Sequence, residues 1–214
     1  MRICILGWGS LLWDTHAAFD DQHGPWQLDG PKLKLEFSRV SESRLRALTL
    51  VIDGKHGSEC QVAYTDSKRT DPYDAICDLR NREGTVRRHI GVMFRDGSRV
   101  HGGDEATRES IKQWASAKNI DVAVWTDLPG DFQEKTGKPF TLDEACRHLQ
   151  NLSPEGKAKA AEYVWRAPAF VATQLRLRLQ QQPWFPPANQ PESGPTHAAI
   201  SGDAPEVRSG APTN

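Results

Sequence analysis

Apolar runs and apolar–polar alternation in the first half of the chain predict a series of β-strands. The run from Arg2 to Leu6 is short and mostly apolar, and residues 33–38 alternate apolar with polar side chains. Residues 45–52 form another β-favouring run, which ends at the turn-forming pair Asp53 and Gly54. We expect residues 33–38 and 45–52 to pair as a hairpin. Further short strands are predicted at residues 61–65, 90–94, 98–101 and 122–125.

Apolar residues at helical spacing dominate the second half. Residues 105–118 place Ile111, Trp114 and Ala115 on one face, and further helices are predicted at residues 141–149 and from 154 onward. Residues 174–179 alternate Leu with Arg as a strand would, but their setting among helices favours a helix. One earlier helix begins at Pro72, with Gly84 placed to end it. Strands first and helices later predict an α+β fold, a mixed β-sheet or small barrel with additional C-terminal helices.

The composition predicts one folded domain followed by a tail. Residues 1–182 form the domain, whose second half, residues 104–182, is rich in helix. From residue 183 onward Pro, Gly, Ser, Ala and Asn predominate, and such segments bury too little apolar surface to offset the entropy of ordering. We therefore predict a flexible tail over residues 183–214. Trp184 and Phe185 are the exception, because two aromatic residues between prolines can pin the start of the tail to the domain.

The balance of charge favours a small-molecule partner. The formal net charge is -1 with 26% charged residues, which gives no global field for nucleic acid or an anionic membrane. No apolar run reaches the roughly 20 residues that a membrane span needs. The widely spaced cysteines lack the pairing of zinc sites and are interpreted as reduced thiols of a cytoplasmic protein; they are Cys4, Cys60, Cys77 and Cys146. A protein partner bound through the tail has no support in the sequence.

A glycine turn, residues 7–11, follows the first predicted strand. Gly7 and Gly9 permit a backbone that exposes consecutive N–H groups, which can hold a carboxylate or a developing oxyanion. A purely structural tight turn is the alternative. A dinucleotide-binding fingerprint fails because Leu12 stands where its third glycine would be. A GxSxG nucleophile elbow fails too, because Trp8 lies two residues before Ser10.

Two charged residues are candidates for chemistry. Glu83 lies at the end of the predicted helix beside Gly84, where the helix dipole disfavours negative charge. The alternative is an exposed glutamate paired with a neighbouring arginine. Arg39, near the end of a predicted strand, can grip a substrate carboxylate or can be an ordinary surface arginine. The remaining arginines of the region are interpreted as a solvated basic face: Arg80, Arg82, Arg87 and Arg88.

Residues 7–13, Gly-Trp-Gly-Ser-Leu-Leu-Trp, resemble the Tyr-Gly-Ser-Leu signature of the γ-glutamylcyclotransferase-like superfamily. Residues 79–84, Leu-Arg-Asn-Arg-Glu-Gly, resemble the helix end that carries the catalytic glutamate in that superfamily. The resemblance extends to its glutathione-specific and γ-glutamylamine families and covers about the first half of the chain. Trp8 replaces the usual tyrosine, and residues 85–89 replace a tyrosine-bearing stretch of the glutathione-specific relatives.

The resemblance implies an enzyme that converts a γ-glutamyl amide or peptide to 5-oxoproline and a free amine by intramolecular aminolysis. It implies Glu83 as the catalytic acid and base, and a substrate site at the glycine turn, to which Arg39 is added for a carboxylate; the turn residues are Gly7, Trp8, Gly9, Ser10 and Leu11. Because the substrate supplies its own nucleophile, no metal or other cofactor is expected. The alternative is a non-catalytic ligand-binding or protein-interaction module on the same fold.

Overall fold

The computed structural model describes residues 1–187. The predicted tail lies mostly outside the described residues, at 188–214. Its first residues continue the domain: Phe185 is buried, its ring lies 5.6 Å from that of Trp165, and the Trp165 indole donates a hydrogen bond to the Pro186 carbonyl. The predicted aromatic pin is thus present.

The strands and helices of residues 1–187 follow the predicted order, strands first and helices later. The strands are β1 (Ile3–Gly7), β2 (Lys32–Ser41), β3 (Ala47–Ile52), β4 (Ser58–Gln61), β5 (Ala63–Asp66), β6 (Ile90–Phe94), β7 (Val100–His101) and β8 (Val122–Thr126). The helices are α1 (Ala17–Asp20), α2 (Pro72–Arg82), α3 (Glu105–Ala117), α4 (Phe132–Thr136), α5 (Leu142–Gln150), α6 (Pro154–Arg166) and α7 (Gln174–Leu179). Only the short helices α1 and α4 were not predicted.

A five-stranded mixed sheet in the order β5-β1-β8-β6-β7 forms the centre of the fold. β1 runs parallel to β8, and the other pairs are antiparallel. Because side chains alternate along a strand, Ile3 and Ile5 face a core that includes α2, whereas Cys4 and Leu6 face the larger core beneath the second sheet and the later helices. The sheet is therefore covered on both faces.

A separate antiparallel sheet in the order β3-β2-β4 contains the predicted hairpin of β2 and β3. The predicted strand at residues 61–65 divides at Val62, because Gln61 pairs with Lys32 in this sheet whereas Ala63 pairs with Gly7 in the central one. Both sheets have free edges. The α+β class is confirmed, but the closed barrel offered as one form of it is wrong for the described residues.

The predicted helix at the Leu–Arg alternation of residues 174–179 is confirmed as α7. Burial does not follow the Leu–Arg alternation, because Arg176 is buried and Leu177 is exposed. The Arg176 guanidinium donates to the carbonyls of Ala167, Pro168 and Val171 at 2.8, 2.6 and 3.0 Å. The Thr173 hydroxyl caps the start of the helix. None of the helices in residues 1–187 combines the length and apolar character needed to cross a bilayer.

Replacing Arg176 should destabilise the fold far more than replacing Arg178. Arg176→Ala removes the side-chain donor of three carbonyls in the segment that follows α6, and we expect a loss of about 2–4 kcal/mol in the free energy of unfolding. Arg178 makes only a solvent-exposed ion pair with Asp143, so Arg178→Ala should cost less than about 1 kcal/mol. Urea denaturation of both variants measures the difference, and equal losses would contradict this role of Arg176.

Candidate functional site

A cavity of about 550 Å³ opens where the glycine turn, the end of α2 and the β2–β3 hairpin meet α6. It brings together most of the predicted site residues, which come from distant parts of the sequence. Trp8, Gly9, Ser10, Leu11, Arg39 and Glu83 all line it. We call this the first cavity.

The glycine turn presents backbone donors to the first cavity. Residues Ser10–Leu12 form a single 3-10 turn whose internal hydrogen bonds use the N–H groups of Leu12 and Trp13. Within residues 1–187, no carbonyl or carboxylate oxygen accepts a hydrogen bond from the N–H groups of Gly9 and Leu11. These donors remain available to a ligand, as the predicted carboxylate or oxyanion cradle requires.

Position 9 of the turn must be glycine, because the Tyr163 side chain packs directly against it. A Cβ atom at this position would lie 2.6 Å from the Tyr163 hydroxyl oxygen, closer than real Cβ atoms come to other atoms. Tyr163 belongs to α6 and is 5% exposed. The turn can therefore pack directly on Tyr163 only with glycine at position 9.

Gly7 differs from the rest of the turn, because it does not line the first cavity. It ends β1, and a Cβ atom there would lie 2.8 Å from the Trp26 ring. Its role is close packing, so the prediction that Gly7 lies in the substrate site is not supported by its position. Trp8 lines the cavity but is only 5% exposed and belongs mainly to the core.

Glu83 lies at the C-terminal cap of α2, as predicted. Its backbone N–H donates to the Leu79 carbonyl, and Gly84 follows with a φ of +57°, the left-handed conformation that commonly ends helices. Within the described part of the chain, no side chain or N–H group hydrogen-bonds the Glu83 carboxylate, and no cation lies within ion-pair distance of it. The group is thus free to exchange a proton with a ligand.

Burial raises the pKa of Glu83 above its ordinary value. Positive charges on Arg82, Arg44 and Arg39 act in the opposite direction, but loss of hydration dominates. A raised pKa favours a carboxylate that acts first as a base and then as an acid near neutral pH. The predicted alternative, a glutamate paired with a neighbouring arginine, does not fit this geometry.

Tyr163 contributes an un-ionised hydroxyl beside the glutamate. Burial, followed by the nearby Glu83 carboxylate, raises the pKa of Tyr163 to about 12. The phenol therefore stays protonated at neutral pH. No sequence pattern pointed to this residue, because α6 lies far from the glycine turn along the chain and only the tertiary fold joins them.

Arg82 and Arg44, which line the first cavity, both contact Asp14. Arg82 donates to the carbonyl of Asp14 at 3.0 Å and, less closely, to that of Ser10, which ties the end of α2 to the glycine turn. Arg44 pairs with the Asp14 carboxylate at 3.1 Å and lies over the Tyr163 ring. The interpretation of Arg82 as part of a solvated basic face is wrong, because its side chain is 10% exposed. The position of Arg82 directly before Glu83 in the sequence was the signal that could have placed it in the site.

Arg39 reaches the first cavity but already has partners. It forms an ion pair with Asp131 at 3.1 Å and donates to the Pro129 carbonyl. Asp131 is in turn held by the Val40 N–H at 2.7 Å. A substrate carboxylate at Arg39 would share the guanidinium with this buried aspartate, so the free N–H groups of the turn are the better carboxylate binders.

The chain matches no protein-family model, and a search of curated proteins likewise found no match. The function of the chain is therefore inferred from the geometry of the first cavity and from the residues that line it.

Replacing Glu83 with glutamine should stabilise the protein at neutral pH. Since burial raises the pKa of Glu83, the folded chain binds that proton more tightly than the unfolded chain does. The stability from this group is complete below the ordinary pKa of a glutamate and is lost as the pH rises through the folded value. Glu83→Gln avoids the loss, so its melting temperature should exceed that of the original chain at pH 7 and approach it near pH 4.

The matched control is Glu134→Gln, which removes an exposed carboxylate from α4 and should change the melting temperature little at either pH. Thermal unfolding monitored at a series of pH values compares the three proteins. A lower melting temperature of Glu83→Gln at pH 7 would mean that the surrounding arginines, and not burial, control the carboxylate.

Replacing Gly9 with alanine should be much more damaging than replacing Gly24. The new methyl group at position 9 collides with the buried Tyr163 hydroxyl, and we expect a cost of about 1–3 kcal/mol. At Gly24 the nearest atom lies 3.7 Å from a built Cβ, an ordinary contact, so Gly24→Ala should cost no more than about 0.5 kcal/mol. Chemical denaturation measures both, and a tolerated Gly9→Ala would show that Tyr163 does not constrain the turn.

Proposed function

We propose that this chain is a γ-glutamylcyclotransferase-like enzyme, which converts a γ-glutamyl amide or peptide to 5-oxoproline and a free amine. The observation that carries the proposal is that an unpaired, partly desolvated Glu83 and the free N–H groups of the glycine turn line the same cavity. The proposal includes a γ-glutamylcyclotransferase-like arrangement of the α+β fold and a small-molecule substrate.

The reaction begins with proton transfer to Glu83. The α-ammonium group of the γ-glutamyl moiety gives a proton to the carboxylate, and its nitrogen acquires the lone pair needed for attack. The raised pKa of Glu83 favours this transfer. The cavity holds the flexible glutamyl chain folded so that the nitrogen approaches its own γ-carbonyl carbon.

Ring closure then moves negative charge onto the γ-carbonyl oxygen. The new C–N bond gives a tetrahedral intermediate, and the N–H groups of Gly9 and Leu11 are donors suited to its oxyanion or to the substrate α-carboxylate. Protonated Glu83 gives its proton to the departing nitrogen as the original amide C–N bond breaks. The attacking nitrogen then loses its second proton to Glu83. Glu83 passes this proton to the leaving amine or to solvent and is again a carboxylate.

The charges around the first cavity fit this chemistry. Arg44 and Arg82 are neutralised mainly through Asp14, which prevents them from forming a direct ion pair with Glu83. Such a pair would lower the basicity of the carboxylate. Tyr163 stays un-ionised beside it, so it adds a polar group without adding negative charge.

Purified protein should release 5-oxoproline from at least one member of a panel of γ-glutamyl dipeptides, γ-glutamylamines and glutathione. Loss of a general acid–base group typically costs about 100- to 10,000-fold in rate, so Glu83→Gln should lower turnover by at least about 100-fold. Mass spectrometry of the released 5-oxoproline measures both. Glu134→Gln is the control and should retain the original rate.

Isothermal titration calorimetry with the same compounds measures binding independently of catalysis. Glu83→Gln should still bind substrates, because the glycine turn remains intact. If the original chain binds a γ-glutamyl compound but releases no 5-oxoproline, the enzyme proposal fails and the non-catalytic binding module takes its place.

A further inference from the structure

A second cavity, of about 350 Å³, lies between α2 and the β6–β7 hairpin and shares no lining residue with the first. Its volume falls at the lower end of the range for small-molecule sites. Its residues divide by chemistry into an apolar floor, Ile76, Ile90 and Val92, and a basic rim, Arg87, Arg88, Arg99 and His101. We call it the basic cavity.

The floor lies where α2 packs on the central sheet beside its edge strand. Ile76 on α2 and Ile90 and Val92 on β6 belong to one core cluster, and each is no more than 3% exposed. β7 is a two-residue edge strand whose His101 lies directly opposite Val92. An apolar group that enters between the helix and this edge strand would meet only hydrocarbon below it.

The rim concentrates positive charge that the described part of the chain does not neutralise. Arg87, Arg88 and Arg99 have no carboxylate within 4.0 Å among residues 1–187. At other ends of strands in the same sheet the arrangement is different: Arg2 pairs with Asp66 and Arg95 pairs with Asp121, each at 2.8 Å. Neighbouring guanidinium groups without acidic partners repel one another, and a bound anion relieves that repulsion.

Two contacts fix the rim in place. The His101 Nε2 atom lies 3.1 Å from the Arg88 carbonyl oxygen and joins β7 to the turn that carries Arg87 and Arg88. The Arg87 guanidinium lies 5.0 Å from the centre of the Tyr73 ring, a cation–π contact. The fold therefore holds the backbone of Arg88 and the guanidinium of Arg87 beside the opening, and less side-chain entropy is lost at Arg87 when a ligand binds.

We propose that the basic cavity binds a small organic phosphate, with its phosphate at the arginine rim and an apolar group on the isoleucine and valine floor. Guanidinium groups match phosphate oxygens in paired hydrogen bonds, and a phosphate offers three terminal oxygens to the three arginines. The apolar floor distinguishes such a ligand from inorganic phosphate. This site is separate from the proposed cyclotransferase chemistry and does not depend on it.

Phenyl phosphate is a suitable probe, because it joins a phosphate to a small apolar ring. Isothermal titration calorimetry should show that it binds more tightly than inorganic phosphate, which lacks the ring, and more tightly than phenol, which lacks the charge. Its affinity should fall as sodium chloride is added, since the contacts are between exposed charges. Arg88→Ala and Arg99→Ala should each weaken binding by roughly tenfold, the effect of losing one charge-assisted hydrogen bond.

Two arginine variants make the test specific. Arg80 contacts Asn81 and does not line the cavity, so Arg80→Ala should leave the affinity unchanged. Arg44 lines the first cavity, so Arg44→Ala should also leave it unchanged. If Arg80→Ala weakened phenyl phosphate binding as much as Arg88→Ala, the effect would come from the overall charge of the protein. If Arg44→Ala weakened it, phenyl phosphate would bind in the first cavity. Either result, or no saturable binding of phenyl phosphate at millimolar concentration, would overturn the proposal.

Discussion

The packing of Tyr163 on the backbone of Gly9 is the constraint on which the candidate site depends. It joins a helix of the second half to the turn that follows the first strand, and it leaves no space for a side chain at position 9. The same tyrosine lies under Arg44 and close to Glu83. Without this contact the turn, the hairpin and the end of α2 would have no common wall, and the first cavity would lose the shape that brings them together.

Glu83 illustrates how a candidate functional position can oppose stability. A carboxylate at the end of a helix meets the negative end of the helix dipole, and burial removes part of its hydration. The surrounding arginines provide only partial compensation, because Arg44 and Arg82 are directed to Asp14 and to backbone carbonyls. The fold therefore keeps the Glu83 carboxylate unpaired by supplying the neighbouring arginines with other partners.

Local patterns predicted much of the fold, because hairpins, helix starts and helix ends depend on neighbouring residues. The β2–β3 hairpin and the end of α2 at Glu83 and Gly84 follow from such patterns. The division at Val62 does not, because partners distant in sequence draw Gln61 and Ala63 into different sheets. Tyr163 and the inward turn of Arg176 depend in the same way on tertiary contacts that periodicity does not contain.

The distribution of charge over the surface determines which ligands the protein attracts more than its net charge does. A formal net charge of -1 argues against a global attraction to nucleic acid, and two arginines that flank strands of the central sheet, Arg2 and Arg95, are each paired with an aspartate. Because these arginines are neutralised by ion pairs, the electric field near the protein surface is set by the arginines that have no carboxylate partner in the described chain. Because the field of an exposed charge falls off within about 10 Å in salt, a near-neutral protein can present a strongly positive rim only where acidic residues are locally missing. Arg87, Arg88 and Arg99 meet that condition around an apolar floor, so near-neutrality of the whole chain and selectivity for an anion at one cavity are compatible.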